Sequence, residues 1–212
     1  MILLIAAAGY LIGAIPTGLL IIRLLRGVDI RTVGSGNIGA TNVYRVAGLP
    51  TALLVLVIDG LKGALPVLLA GASGASPWAE VLAGLAAIVG HNWSVFLRFA
   101  GGKGVATSLG VLVALSPAAA GVAILLWLAV VAATRYASLA SVLAIAAVPV
   151  VMRVRREPVD HLLFGGLALA FVVYRHRANL ARLRAGTELR ITDLPQSGLP
   201  AVGKGHKAGK GG

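Results

Sequence analysis

Long apolar runs dominate this chain, with polar residues gathered in short clusters between them. The runs at 2–25, 49–71 and 81–97 are each long enough to cross a bilayer as a helix. Extending the same reading gives spans at 2–25, 49–71, 79–97, 104–115, 118–134, 137–152 and 159–174. The predicted fold is an all-α integral membrane protein with about seven transmembrane helices, some of them short or broken. The first run lacks a basic leader and is followed by further spans, so it reads as a retained helix rather than a signal peptide. Segment 104–115 would be about 18 Å long, too short for a hydrocarbon core of about 30 Å. Ser116-Pro117 then interrupts the pattern, so 104–134 is either one kinked span or a tight hairpin. Arg98 and Lys103 before it and Arg135 after it favour the hairpin, because basic residues collect on one side of a membrane.

Composition supports the membrane reading: 58% of residues are hydrophobic and 12% charged, with mean hydropathy +0.92. The formal net charge is +12, from 19 Lys and Arg against 7 acids. In a membrane protein such an excess serves cytoplasmic loops and anionic lipid headgroups. No aromatic-studded basic surface accompanies it, so no nucleic-acid partner is expected. The chain has no cysteine, which removes thiolate and disulfide chemistry, and its 4 histidines are scattered without ligand spacing. Neither a metal nor a cofactor is expected.

Segments 26–48, 98–103, 135–136 and 175–212 carry nearly all the basic residues, whereas 72–78 carries no charge. That partition predicts an N-out, C-in arrangement with the basic face in the cytoplasm. Arg153, Arg155 and Arg156 disagree, since the same parity puts them outside. A single polytopic domain is expected over 1–194. Residues 195–212, which include the Gly- and Lys-rich "QSGLPAVGKGHKAGKGG", are expected to be a disordered basic tail.

Four polar clusters fall on the basic face. In "VGSGNIGATNVYRVAG", 33–48, Gly34, Gly36 and Gly39 allow the backbone to approach an anion closely, Ser35, Asn37, Thr41 and Asn42 offer donors, and Arg45 offers a planar fork for phosphate. In "FLRFAGGKGVATSLG", 96–110, Gly101, Gly102 and Gly104 precede a helix start, with Lys103 supplying charge and Thr107 a hydroxyl one turn later. A nucleotide loop of the GxxxxGK[ST] type fails there, because Gly104 follows the lysine and no strand precedes it. In "RYASLASV", 135–142, Ser141 becomes a ligand only if it faces the same cavity as the two loops. In "YRHRANLARLRAGTE", 174–188, His176 and Asn179 share a helix face. Arg175, Arg177, Arg182 and Arg184 are expected to meet lipid headgroups, and Glu188 to pair with a nearby arginine. Asp59 and Lys62 stand in mid-span, where an internal ion pair or a polar cavity wall is expected.

Together "GSGNIGATNVYRVAG", "DGLKGALPV", "GHNWSVFLRFAGGKGVATSLG", "RYASLAS" and "HRANLARLRAGTE" make the chain resemble the bacterial membrane acyl-phosphate:glycerol-3-phosphate acyltransferases. The matches run in family order from Met1 to about Glu188. The resemblance implies seven membrane helices and transfer of a fatty acyl group from acyl phosphate to the 1-hydroxyl of sn-glycerol 3-phosphate. The products would be 1-acyl-sn-glycerol 3-phosphate (lysophosphatidate) and phosphate, in phospholipid biosynthesis at the bacterial inner membrane. It further implies that Ser35, Arg45, Lys103, Ser141, His176 and Asn179 surround the substrates. Glycerol 3-phosphate, acyl phosphate and membrane lipids are then the partners, with no obligatory protein partner.

The residues fit that chemistry: two phosphates ask for two anion cradles, and an activated anhydride needs orientation and charge neutralisation rather than a protein nucleophile. Ser35, Lys103 and His176 are the candidate catalytic residues, with His176 placed to take the hydroxyl proton unless a substrate phosphate oxygen does. A small organophosphate transporter is the rival, since it too would use Gly-interrupted helices and mid-membrane charge. The donors gathered at one face and the lack of an inverted repeat count against it.

Overall fold

The structure is a computed structural model that describes residues 1–193, and the expected tail at 195–212 lies outside them. The described residues form nine α-helices: α1 (Ile2–Ala14), α2 (Thr17–Arg26), α3 (Ala40–Ala72), α4 (Pro77–Asn92), α5 (Val105–Leu115), α6 (Pro117–Thr134), α7 (Ala137–Val154), α8 (Val159–Arg175) and α9 (Arg177–Arg184). No strand occurs among them. Five stretches are long and apolar enough to cross a membrane, namely Ile2–Arg26, Ala40–Ala72, Pro77–Leu97, Pro117–Thr134 and Ala137–Val154, and α5 is a shorter apolar helix.

Several expected spans are broken, each for a local reason. The run 2–25 is interrupted at Ile15-Pro16, because proline has no N–H to continue the helix ladder. The carbonyl of Ile15 accepts from the Thr17 amide at 3.0 Å and from Lys62 Nζ at 2.8 Å. Lys62 also lies 2.8 Å from Asp59 Oδ1, with both residues buried. The mid-span pair therefore exists, and it seals the break in the first span. Helix α3 begins earlier than expected, at Ala40, and is itself broken at Gly48, whose φ of 80° and ψ of 179° are not helical. Pro50 then sits in the first turn of the continuing segment, where a missing donor costs nothing. The expected span 79–97 ends as α4 at Asn92 and continues only as a short 3-10 turn at Val95–Leu97.

Small residues set the helix packing. A Cβ on Gly9 or Gly13 would overlap the carbonyl of Ala83 or Ala87, so α1 and α4 touch backbone to backbone. Gly110 likewise brings α5 against Gly60 of α3. Such close approach replaces the hydrophobic driving force that lipid cannot supply between helices.

The hairpin reading of 104–134 is the one the fold adopts. Ser116, between α5 and α6, donates through Oγ to Glu157 Oε1 at 2.6 Å, so that turn lies beside the α7–α8 loop. Gly104, Ala137 and His176, at the opposite ends of α5, α7 and α8, all line one cavity. Helix α5 therefore leads away from the cavity and α6 returns to it. Arg155 and Arg156 lie at the far end, while Lys103, Arg135 and Arg175 lie at the cavity end.

Candidate active site

The cavity has a volume of about 290 Å³ and two unlike halves. At its polar end stand Ser35, Asn37, Thr41, Arg45, Lys103 and His176. Its apolar arm is walled by Leu109 and Leu112 of α5, Ile124, Trp127 and Leu128 of α6 and Ile145 of α7. Leu56 of α3, which lines the same space, is surface-exposed, as are Ile124 and Leu128. The arm thus opens sideways between α3 and α6, at the level where lipid would surround the helices.

The loop before α3 is stitched together by one side chain. Asn42, 1% exposed, donates through Nδ2 to the carbonyls of Ile30, Val33 and Asn37 and accepts from the Ser35 amide at 2.9 Å. Both of its N–H donors are spent inside the loop. Asn42, expected as a substrate donor, lines the cavity and at the same time gives the loop its shape. Asn37 accepts from the Gly39 amide at 2.9 Å. Ser35 lies exposed at the rim and Thr41 is half-buried. Arg45 points its fork at the carbonyls of Arg190 (2.8 Å from Nη2) and Leu189 (3.3 Å). The segment after α9 is thereby pinned across the cavity mouth, and the Ile191 amide extends it to the Arg135 carbonyl at 2.8 Å.

The second glycine loop differs from expectation. The amides of Gly101 and Gly102 donate to the Asn92 and His91 carbonyls at 3.2 and 2.9 Å, satisfying two of the carbonyls that a helix end leaves open. Their own carbonyls accept from Arg175, at 2.8 Å each. Neither glycine lines the cavity, so the expected phosphate cradle is reduced to Lys103, Gly104 and the start of α5. Thr107 is fully buried and also lies off the cavity. Its carbonyl is where a Cβ on Gly63 would clash, which turns that residue toward α3.

Charge in the polar end runs through a chain of contacts. Lys103 Nζ donates to Asn179 Oδ1 at 2.6 Å, Asn179 Nδ2 donates to Glu188 Oε1 at 2.6 Å, and Arg182 Nε reaches Glu188 Oε2 at 2.8 Å. Burial pulls the Lys103 ammonium down to about 8, against the favourable pull of Glu188 and aided by the nearby Arg182, Arg45 and Arg175 cations. Burial, with Lys103 beside it, likewise holds His176 down at about 4. His176 Nδ1 is 2.8 Å from the Val172 carbonyl. A carbonyl can only accept, so Nδ1 carries the proton and Nε2 of the neutral ring is left as an acceptor.

Ser141 lines the cavity, but its Oγ donates to the Ala137 carbonyl (2.7 Å) and accepts from Trp127 Nε1 (3.1 Å). It fixes the tryptophan that walls the apolar arm. Glu188, Arg182 and His91 line the cavity as well. Two of these have other roles in the sequence reading, Arg182 at lipid headgroups and Glu188 as an ion-pair partner. His91, next to last in α4, has no sequence signal for the site beyond its place at a helix end. Asp59 also faces the cavity, so it is at once paired and part of the wall.

An all-helical membrane protein in which one cavity joins cationic donors to a laterally open apolar arm is built to bring an anion and an acyl chain together. The comparisons narrow that class. The glycerol-3-phosphate acyltransferase family profile matches residues 3–186, and the chain belongs to that family. It is 50% identical over 191 residues to the glycerol-3-phosphate acyltransferase of Desulforudis audaxviator, covering 90% of this chain and 96% of that one. It is 49% identical over 194 residues to the enzyme of that name from Geobacter sulfurreducens, covering 89% and 97%. A crystal structure of PlsY (YgiH), an integral membrane glycerol 3-phosphate acyltransferase in its glycerol 3-phosphate form, superimposes with a TM-score of 0.85. The identity is 43%, covering 89% of this chain and 94% of that one. The lysophosphatidic acid form of the same enzyme superimposes at 0.84.

Proposed function

We propose that this acyltransferase uses acyl phosphate as donor, acylating the 1-hydroxyl of sn-glycerol 3-phosphate to give 1-acyl-sn-glycerol 3-phosphate (lysophosphatidate) and inorganic phosphate. The observation that carries the reading is the two-part cavity, in which Lys103 and Arg45 stand at the end of an apolar arm open to the side. An acyl chain entering from the bilayer brings its carbonyl carbon to the polar end, where Lys103 and the amides at the start of α5 neutralise phosphate charge. Arg45 and Asn179 orient glycerol 3-phosphate, with Ser35, Asn37 and Thr41 around it. The hydroxyl oxygen attacks the acyl carbon, the bond from that carbon to the phosphate oxygen breaks, and phosphate leaves with the electron pair.

His176 Nε2 accepts a hydrogen bond from the hydroxyl and so orients the nucleophile. A value near 4 makes the ring a weak base in the empty cavity. That favours a substrate phosphate oxygen, whose second pKa is about 6, as a competing proton acceptor. His176→Gln separates the two, because glutamine accepts a hydrogen bond without taking a proton. A modest rate loss assigns the proton to phosphate, and a loss as large as that of His176→Ala assigns it to the ring.

Basic residues gathered at the cavity end support an N-out, C-in arrangement in the bacterial inner membrane with the site toward the cytoplasm. The deciding experiment offers the purified protein labelled glycerol 3-phosphate with acyl phosphate, acyl-CoA or acyl-carrier-protein. Chloroform-soluble product formed with acyl phosphate is expected. Use of thioesters alone overturns the donor, and label that only crosses a vesicle wall makes the protein a transporter.

A further inference from the structure

Arg175 was expected to face lipid headgroups, yet its fork is engaged by protein. Nε donates to the Gly102 carbonyl and Nη2 to the Gly101 carbonyl, both at 2.8 Å. The guanidinium lies over the Trp93 ring, 5.6 Å from its centroid. That ring is held edge-on by Phe171 at 5.9 Å, and the Trp93 carbonyl accepts from Tyr10 Oη at 2.8 Å. On the other edge of the loop, the amides of Gly101 and Gly102 are fixed by the last carbonyls of α4. A side chain at Gly102 would run into the His91 ring, so the segment is clamped between α4 and Arg175.

We propose that Arg175 is a positioning residue for acyl transfer, whose bidentate grip holds the Gly101 and Gly102 carbonyls away from the cavity so that Lys103 and the Lys103–Gly104 amides face the substrate phosphate. A carbonyl oxygen is the negative end of a peptide dipole, and turned inward it would repel the phosphate that Lys103 attracts. Two consecutive carbonyls need a planar fork of fixed width, which arginine has and the compact ammonium of lysine lacks. Arg175 does not line the cavity, whereas its neighbour His176 does. The end of α8 thus sets the phosphate loop through one residue and the hydroxyl acceptor through the next. This inference rests on the reading of Lys103 as a phosphate ligand.

The test compares wild type, R175A, R175K and K103A as purified full-length enzymes, each with the donor that supports wild-type turnover. The readouts are kcat, KM for both substrates, thermal midpoint, and response to added methylguanidine. R175A is expected to lose roughly 10²-fold in kcat/KM, the scale of one misplaced transition-state donor. R175K should lose nearly as much while keeping the wild-type midpoint. Methylguanidine should restore about tenfold to R175A and nothing to K103A. R175K within threefold of wild type would show that charge alone suffices and overturn the proposal, as would an R175A defect matched by its loss of folded protein. Should R175A fail to fold, R175K decides. Impaired K103A beside normal Arg175 variants sinks this inference alone, whereas unimpaired K103A sinks the underlying functional reading.

Discussion

The two glycine-rich loops are built on opposite plans. The loop before α3 holds itself: Asn42, a few residues along the same segment, ties the Ile30, Val33 and Asn37 carbonyls and the Ser35 amide to one carboxamide. The loop before α5 is held from outside, its amides by the end of α4 and its carbonyls by Arg175 of α8. A self-tied loop keeps its shape wherever its helices go, and losing its tie should register as lost stability. A clamped loop takes its shape from the relative placement of two helices, and losing the clamp should register in the kinetics of the lysine it presents.

The sharpest break comes from the cation itself. On the proposed role, Lys103→Ala should cost 10²- to 10³-fold in kcat/KM with a smaller effect on the thermal midpoint, since it removes the charge that meets the phosphate and one hydrogen bond, to Asn179. Near-wild-type kinetics would remove the second loop from the site. Asn42→Ala comes next and should act on folding. It leaves carbonyls without their donor, each worth about 1–3 kcal/mol when buried, so midpoint and activity should fall together. A stable but slow variant would mean that Asn42 touches substrate.

Gly102→Ala is expected to cost roughly tenfold in kcat/KM, on the scale of about 1.4 kcal/mol, because its Cβ meets the His91 ring and shifts the clamp. Its midpoint should stay near wild type. A drop in midpoint as large as that of Asn42→Ala would erase the distinction between the loops. The smallest effect is in the pH profile. Lys103, held at about 8, is charged below that value and loses its pull on phosphate above it, so kcat/KM should fall as pH rises through 8. Lys103→Arg keeps its charge at every accessible pH, and its alkaline limb should vanish. His176, held near 4, is neutral above that value. An acid limb near 6 therefore belongs to the substrate phosphate and should persist in His176→Gln.

Much of this was legible in the chain. The apolar runs located the helices, Ser116-Pro117 and the flanking basic residues located the α5–α6 hairpin, and Pro16 marks a break that the run 2–25 concealed. Ser35, Arg45, Lys103, His176 and Asn179 stand out as polar residues in loops and near helix ends, and the fold gathers them at one cavity. Glycine content, however, does not say which peptide groups remain free. Gly101 and Gly102 look like a phosphate cradle until α4 and Arg175 consume their four hydrogen-bonding groups. Ser141 meets the condition set for it by lining the cavity, but the sequence does not say that its hydroxyl also donates to the Ala137 carbonyl and accepts from Trp127.

The helical membrane architecture, the partition of charge between the two ends and the chemical inventory of the polar clusters are all written in the order of residues along the chain. Those depend on local composition and on bonds between residues a few positions apart. How the inventory is used emerges only when the helices pack: the Arg45 fork on carbonyls at 189 and 190, the Lys62 cap on Ile15, the Arg175 clamp, and the lateral opening between α3 and α6. Each of these depends on how far one helix is rotated against another. Close glycine contacts, such as Gly13 on Ala87 and Gly110 on Gly60, fix that rotation, and no run of neighbouring residues encodes it.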